Sequence, residues 1–180
     1  MPKTKLNKTK PQSQEVRPIG ARALKSAIDT LRPRLFEASV LDLFAGQGRF
    51  GIAASEEGIS SVTFVEKDRK TAAELKLAIS APRFPKEPNA KVVCQDAAIF
   101  LEQTQEKFDI VFADPPFPLW SETFEKSLLS AVTRVLKAGS IFLVKHPSRM
   151  LPCSEFSRLT LNKESEFGES RLLYFSYETE

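Results

Sequence analysis

The sequence predicts an α/β fold: a doubly wound, mostly parallel sheet, covered by helices on both faces and closed by an antiparallel C-terminal hairpin. Three observations carry this. Apolar β-type segments at 39–44, 61–66, 90–94, 108–113 and 139–145 alternate with helical candidates at 48–57, 69–80, 96–104 and 121–136. Strand and helix in alternation build crossover units, which join parallel strands. The strand candidates are unbroken apolar runs, as expected where helices cover both faces of a sheet. The last 25 residues change character: FSRLTLNKE and SRLLYFSYE are two alternating runs joined through EFG, the pattern of a hairpin closing one edge.

The elements follow in chain order. Residues 20–32 place Ala23, Leu24, Ala27, Ile28 and Leu31 at helical spacing, and Pro33 is expected to stop this amphipathic helix. The Pro-rich stretch 81–89 is a loop leading into the third strand. With 180 residues, the chain divides into a basic arm, 1–16, and a single domain, 17–180. A domain of this size buries enough surface to fold without disulfides or a structural metal. Cys94 and Cys153 form no C-x-x-C pair, which argues against a zinc site and against a secreted disulfide scaffold, so no metal is expected and a reduced cytoplasm is the expected setting. No run approaches the ~18 apolar residues of a membrane span, and the N-terminus lacks the apolar core of a signal peptide.

Charge is unevenly placed. Lys3, Lys5, Lys8, Lys10, Arg17, Arg22 and Lys25 stand against Glu15 alone, so residues 1–25 are net +6 and the remaining 155 are net −3. A basic arm on a mildly acidic domain is the footprint expected for binding a phosphate backbone, with Arg17, Arg22 and Lys25 as its contacts nearest the domain. The alternative for residues 1–14, which hold no aromatic residue, is a solvated tail.

A doubly wound sheet binds its ligand beyond the carboxyl ends of the strands. After the first strand comes Asp42-Leu43-Phe44-Ala45-Gly46-Gln47-Gly48-Arg49-Phe50-Gly51, where Gly46 and Gly48 permit a sharp turn and a close ligand, and the following helix offers free N–H groups. This is also a G-x-G-x-x-G, so the loop alone matches a dinucleotide site equally well. The second strand ends at Glu66, beside Lys67, where a carboxylate can accept both hydroxyls of a ribose. Asp96, followed by Ala97, is a third-strand acid placed to accept from an adenine amine; the plainer alternative for either acid is a helix cap or solvated residue. Asp42 discriminates more. A carboxylate inside VLDLFAG would repel a pyrophosphate, whereas S-adenosylmethionine has a sulfonium, an ammonium and no phosphate.

The fourth strand runs into Asp114-Pro115-Pro116-Phe117. Two prolines fix φ and donate no hydrogen bond, leaving a rigid loop with its carbonyls open. Asp114 and the Pro115 carbonyl can both accept from one –NH₂ group, while Phe117 offers a face to a planar ring. Such a set selects an aromatic exocyclic amine. His146, in VKHPS, reads as a satisfied loop residue rather than a base.

On these motifs the chain resembles the Rossmann-type S-adenosylmethionine-dependent methyltransferases, and more narrowly the RsmD family of small-subunit ribosomal RNA guanine methyltransferases. The resemblance spans residues 16–178: VRP, LDLFAGQGRFGIAASEEG, VEKD, DPPF and FGESRLLYFSYE. It implies a seven-stranded sheet in the order 3-2-1-4-5-7-6, and S-adenosylmethionine held by Asp42, Phe44, Ala45, Gly46, Gly48, Glu66, Lys67, Asp96 and Ala97. The tetrad Asp114, Pro115, Pro116 and Phe117 would hold the target amine. It further implies methyl transfer to guanine N2 of small-subunit ribosomal RNA, in an assembling particle, by a monomer. The chain departs from the family's pattern at its N-terminus: the glycine-rich basic hairpin is missing, and in Arg17-Pro18-Ile19-Gly20-Ala21-Arg22-Ala23-Leu24-Lys25 the residues Ile19, Leu24 and Lys25 replace threonine, arginine and glutamate.

Three rival readings share parts of this pattern. A nicotinamide oxidoreductase would use GQGRFG and Glu66 but gives no reason for Asp42 or DPPF. A small-molecule or protein methyltransferase would share the cofactor half. A noncatalytic RNA-binding assembly factor would need the arm and not the tetrad.

Overall fold

The computed structural model describes residues 19–86, 88–153 and 155–178; the basic arm 1–16, with Arg17, lies outside the described residues. The chain runs α1 (Ala21–Leu35), β1 (Ser39–Leu43), α2 (Arg49–Ser55), β2 (Ser61–Glu66), α3 (Arg69–Ile79), β3 (Asn89–Cys94), α4 (Ala97–Gln103), β4 (Phe108–Ala113), α5 (Glu122–Thr133), β5 (Leu136–Pro147), β6 (Glu155–Phe156), β7 (Leu159–Phe167) and β8 (Ser170–Tyr177). One sheet takes the order β3-β2-β1-β4-β5-β8-β7-β6. The pairings from β3 through β5 are parallel, and those of β8, β7 and β6 antiparallel. This is the expected order, with a two-residue strand, β6, added at the hairpin edge.

Two apolar layers cover the sheet, and strand periodicity assigns residues to them. Ile110 and Phe112 of β4, Leu143 of β5, and Leu172 and Tyr174 of β8 face the layer of α1, α2 and α3. Their neighbours Val111, Ala113, Phe142, Val144, Leu173 and Phe175 face α4 and α5. Stacking of Phe50 on Phe112, with ring centroids 4.3 Å apart, ties α2 to the sheet. The same alternation turns Asp42 towards α2, because Val40 lies in the first layer while Leu41 and Leu43 lie in the second.

Several boundaries shift by one to three residues from the sequence expectation: the helix expected to reach 136 ends at Thr133 and the strand expected from 139 starts at Leu136, and two further shifts have a clear physical reason. Pro33 lies inside α1, which continues to Leu35. Its missing N–H costs one bond in the last turn, but Leu31 and Leu35, four residues apart and both fully buried, fasten that turn to the core. β5 extends to Pro147, so His146 belongs to the strand and not to a loop; pairing with β8 continues through Pro147 opposite Ser170. The hairpin turns at Gly168-Glu169, where Gly168 at φ 64° supplies the positive φ that a two-residue turn needs at its first position.

Candidate active site

Every strand of the parallel half ends on the same side of the sheet, and the segment after β1 shapes the cleft there. Phe44 takes φ 56°, a left-handed conformation rare outside glycine, and Gly46 and Gly48 follow at 53° and 70°. The turn is closed by the Ala45 amide donating to the Val65 carbonyl (3.0 Å) and the Gly48 amide to the Ala45 carbonyl (2.7 Å). A side chain at Gly48 would stand 2.5 Å from Cδ1 of Leu75 and 3.0 Å from Phe64, so packing demands glycine there as well as backbone conformation. Gly46 has open space before it, as a position beneath a ligand requires.

Glu66 latches this loop. Its Oε2 accepts from the Gly46 amide and its Oε1 from the Asp68 amide, both at 2.8 Å. Each carboxylate oxygen keeps a second lone pair for a ligand hydroxyl. Asp42 is buried behind the loop rather than lining the cleft, and its Oδ2 accepts from the Gly51 amide in the first turn of α2 (2.9 Å). Burial pushes its carboxyl well above the ordinary carboxylate range; the Gly51 amide pulls it down, and Asp114 and Glu66 push it further up. Asp96 caps α4 by accepting from the Ala98 amide (2.9 Å), the plainer of the two alternatives for that acid; its neighbours Gln95 and Ala97 line the cleft.

The cleft has a volume of about 470 Å³ and takes in Phe44, Gly46, Gln47, Glu66, Lys67, Asp68, Thr71, Glu74, Asp114 and Pro116. It therefore joins the glycine loop to the first and third residues of the tetrad. Among the described lining residues, four carboxylates (Glu66, Asp68, Glu74, Asp114) stand against one ammonium, Lys67. A lining of that sign suits a cationic ligand and repels a pyrophosphate. Of the two proline carbonyls, that of Pro116 is taken: it accepts from the Leu119 amide (3.0 Å) in a short 3-10 turn over Phe117–Leu119, so the loop's carbonyls are not all open.

Asp114 is held from two sides. Its Oδ1 lies 2.8 Å from Nζ of Lys145 on β5, and the Ile19 amide donates to the same carboxylate. The Ile19 carbonyl in turn accepts from Nη1 of Arg49 (2.7 Å), so the residue before α1 is pinned between the glycine-loop helix and the tetrad. Burial raises the Asp114 carboxyl above its usual range, and Lys145 and the Ile19 amide oppose that rise. Lys145 also stands 5.3 Å from the centroid of the Phe117 ring. Sequence reasoning missed Lys145. The available signal was a lysine at the end of the apolar run IFLVK, directly before the single histidine.

The other expected residues lie apart. Arg22 and Lys25 are exposed on α1, where they border a shallow depression with Ser26, Asp29, Thr30 and Lys163; Lys25 is paired with Asp29 at 2.5 Å. His146 is fully buried, its Nδ1 2.8 Å from the Pro147 carbonyl and its Nε2 3.6 Å from Glu125. Glu125 also accepts from the Cys153 amide (2.9 Å), and Trp120 packs edge-on against the histidine ring. This cluster fastens the loop after β5 to α5.

Known proteins resemble this chain in sequence and fold. The sequence model of a family described as conserved hypothetical protein 95 matches residues 3–176. Ribosomal RNA small subunit methyltransferase D of Haemophilus influenzae is 36% identical over 107 residues, covering 58% of this chain and 55% of that protein. The match thus spans about half the length of the curated relatives. A crystal structure from Haemophilus influenzae, described as a candidate methylase, is 28% identical, covers 88% of this chain and 98% of its own, and superposes with a TM-score of 0.75. Magnesium protoporphyrin IX methyltransferase of Synechocystis PCC 6803 with bound SAM has the same fold at 17% identity, covering 87% and 79% of the two chains with a TM-score of 0.68. No helix among the described residues is long and apolar enough to cross a membrane. With nearly its whole length matched and the glycine loop, second-strand acid and DPPF loop gathered at one end of the sheet, the chain belongs to the conserved hypothetical protein 95 family, the RsmD family that its motifs resemble.

Proposed function

We propose that the chain transfers a methyl group from S-adenosylmethionine to the exocyclic amine of a nucleobase, guanine N2 of small-subunit ribosomal RNA. The observation that carries the reading is the single cleft shared by the glycine loop and the tetrad, with its excess of carboxylates. A volume of about 470 Å³ lies within the range of small-molecule sites, roughly 300–1,000 Å³. The lining favours this cofactor over a nicotinamide dinucleotide for the reason of sign given above. The RNA substrate is taken from the curated relatives and from the basic arm.

When bound, S-adenosylmethionine supplies a sulfonium methyl as the electrophile. The protein's residues bind and orient. Glu66 uses its remaining lone pairs for the ribose, and Gly46 leaves room for the ligand to lie against the backbone. Asp114 and the Pro115 carbonyl accept from the target –NH₂, whose lone pair is delocalised into the ring. Those hydrogen bonds would turn the lone pair towards the methyl group and stabilise the positive charge that builds on the nitrogen, and Asp114 is placed to take the proton that the methylated nitrogen must shed. Holding two reactants in line is worth up to roughly 7–11 kcal/mol of a barrier. A paired base cannot enter, so the target is single-stranded or flipped out and stacks on Phe117.

Stacking of a base on an aromatic ring is worth about 1–3 kcal/mol. Phe117→Ala should therefore lower kcat/KM for RNA by one to two orders of magnitude while leaving S-adenosylmethionine affinity, read by calorimetry, within about twofold. Equal losses in both quantities would mean that the ring only supports the loop.

A further inference from the structure

We propose that Lys145 is a positioning residue for the target amine: it fixes the Asp114 carboxylate and the Phe117 ring in one arrangement and leaves the carboxylate's remaining lone pairs for the amine. This rests on the amine-transfer reading above. The register of the sheet puts the two charges together, since Ala113, the last residue of β4, pairs with Val144 of β5, and the residues that follow these two in the chain are Asp114 and Lys145. Their side chains meet at 2.8 Å with 14% and 7% of their surface exposed. Lysine is almost never this buried unless paired, because an ammonium out of water needs a compensating charge.

The same Nζ, 5.3 Å from the Phe117 centroid, meets the ring through the π-face attraction of a cation. One cation thereby links the first and last residues of the tetrad across two rigid prolines. Lys145 is not among the described residues that line the cleft, so it acts through Asp114 and not on the substrate.

Its charge also decides what Asp114 can do. A neutral carboxyl offers a hydroxyl donor and loses acceptor capacity towards an amine. Burial favours that neutral form, while Lys145 from β5 and the Ile19 amide before α1 favour the carboxylate; Asp42 on β1 also faces this group, and its own carboxyl is the one that Asp114 pushes up. Removing the ammonium should therefore raise the pH at which Asp114 ionises.

The test uses the full chain and two variants, Lys145→Met and Lys145→Arg. Aspartate-labelled protein gives the Asp114 titration by carbon NMR, without substrate. Methyl transfer to RNA gives a pH profile, and calorimetry gives cofactor affinity. Lys145→Met should raise the Asp114 midpoint, move the acid limb of kcat upward with it and cut kcat at neutral pH at least tenfold, with S-adenosylmethionine affinity within twofold. Lys145→Arg should keep the wild-type midpoint and limb. An unmoved midpoint in the methionine variant overturns the proposal. So does a displaced one in the arginine variant, whether or not the methionine variant folds. Absence of transfer by the wild type would instead sink the reading of the site, and the carboxyl titration would still judge the pair.

Discussion

Asp42 is a carboxylate that the fold turns to a structural task, accepting from the Gly51 amide at the start of α2 while fully enclosed. Burial first, and then Asp114 and Glu66, push its carboxyl well above the range of an unfolded aspartate. A native pKa raised above the unfolded one makes the folded state the stronger proton binder. The associated stability is complete below the unfolded value, near ~3.9, and is lost as pH rises through the native one. Asp42→Asn cannot ionise and keeps an oxygen for the Gly51 amide. It should melt near the wild type at pH 3.5 and several degrees above it at pH 7. A variant that melts lower at pH 7 by as much as at pH 3.5 would show that ionisation at this site carries no cost. Lys145 belongs to the same scale. Its partner stands 31 residues away in the chain, and only the parallel pairing of β4 with β5 brings the two within 2.8 Å. No local sequence pattern contains that information, whereas the tetrad itself is contiguous and legible.

At the scale of elements, α2 approaches β2 so closely that Gly51 leaves no room for a methyl group: a Cβ there would stand 2.3 Å from Cε1 of the fully buried Phe64. Alanine favours a helix over glycine by about 1 kcal/mol, but forcing a methyl into a packed core costs about 1–3 kcal/mol. Gly51→Ala should thus lower unfolding stability in urea by up to about 2 kcal/mol. A gain would mean that Phe64 yields easily. The alternation of strands and helices and the terminal hairpin were readable in the sequence because each rests on a local period. Pro33 was not, because the burial of Leu31 and Leu35 outweighs a local stop signal. Neither was the division of labour among the acids: Asp42, Glu66 and Asp96 all follow the expected motif, yet the tertiary fold makes the first a buried brace, the second a latch facing the cleft and the third a helix cap.

For the whole molecule, charge is divided along the sequence: residues 1–25 are net +6, the rest are net −3, and the described lining of the cleft is dominated by carboxylates. Such a domain attracts a cationic cofactor and repels an RNA backbone, so RNA affinity should depend on the arm. Deleting residues 1–14 removes Lys3, Lys5, Lys8 and Lys10. The truncation should leave S-adenosylmethionine binding intact, raise the RNA dissociation constant and flatten its log–log salt dependence by about 0.7 per lost phosphate contact. An unchanged slope would place RNA recognition on the folded domain alone. The central claim, that this cleft methylates a base amine, is tested most directly by tritiated methyl transfer. The full chain and its Asp114→Ala variant are each incubated with labelled S-adenosylmethionine and ribosomal RNA from cells lacking the protein, and the RNA is then digested to nucleosides. The account predicts label in N2-methylguanosine of the small-subunit RNA with the wild type, and none with a variant that still binds the cofactor. No label in any nucleoside, or equal label from the variant, would contradict it.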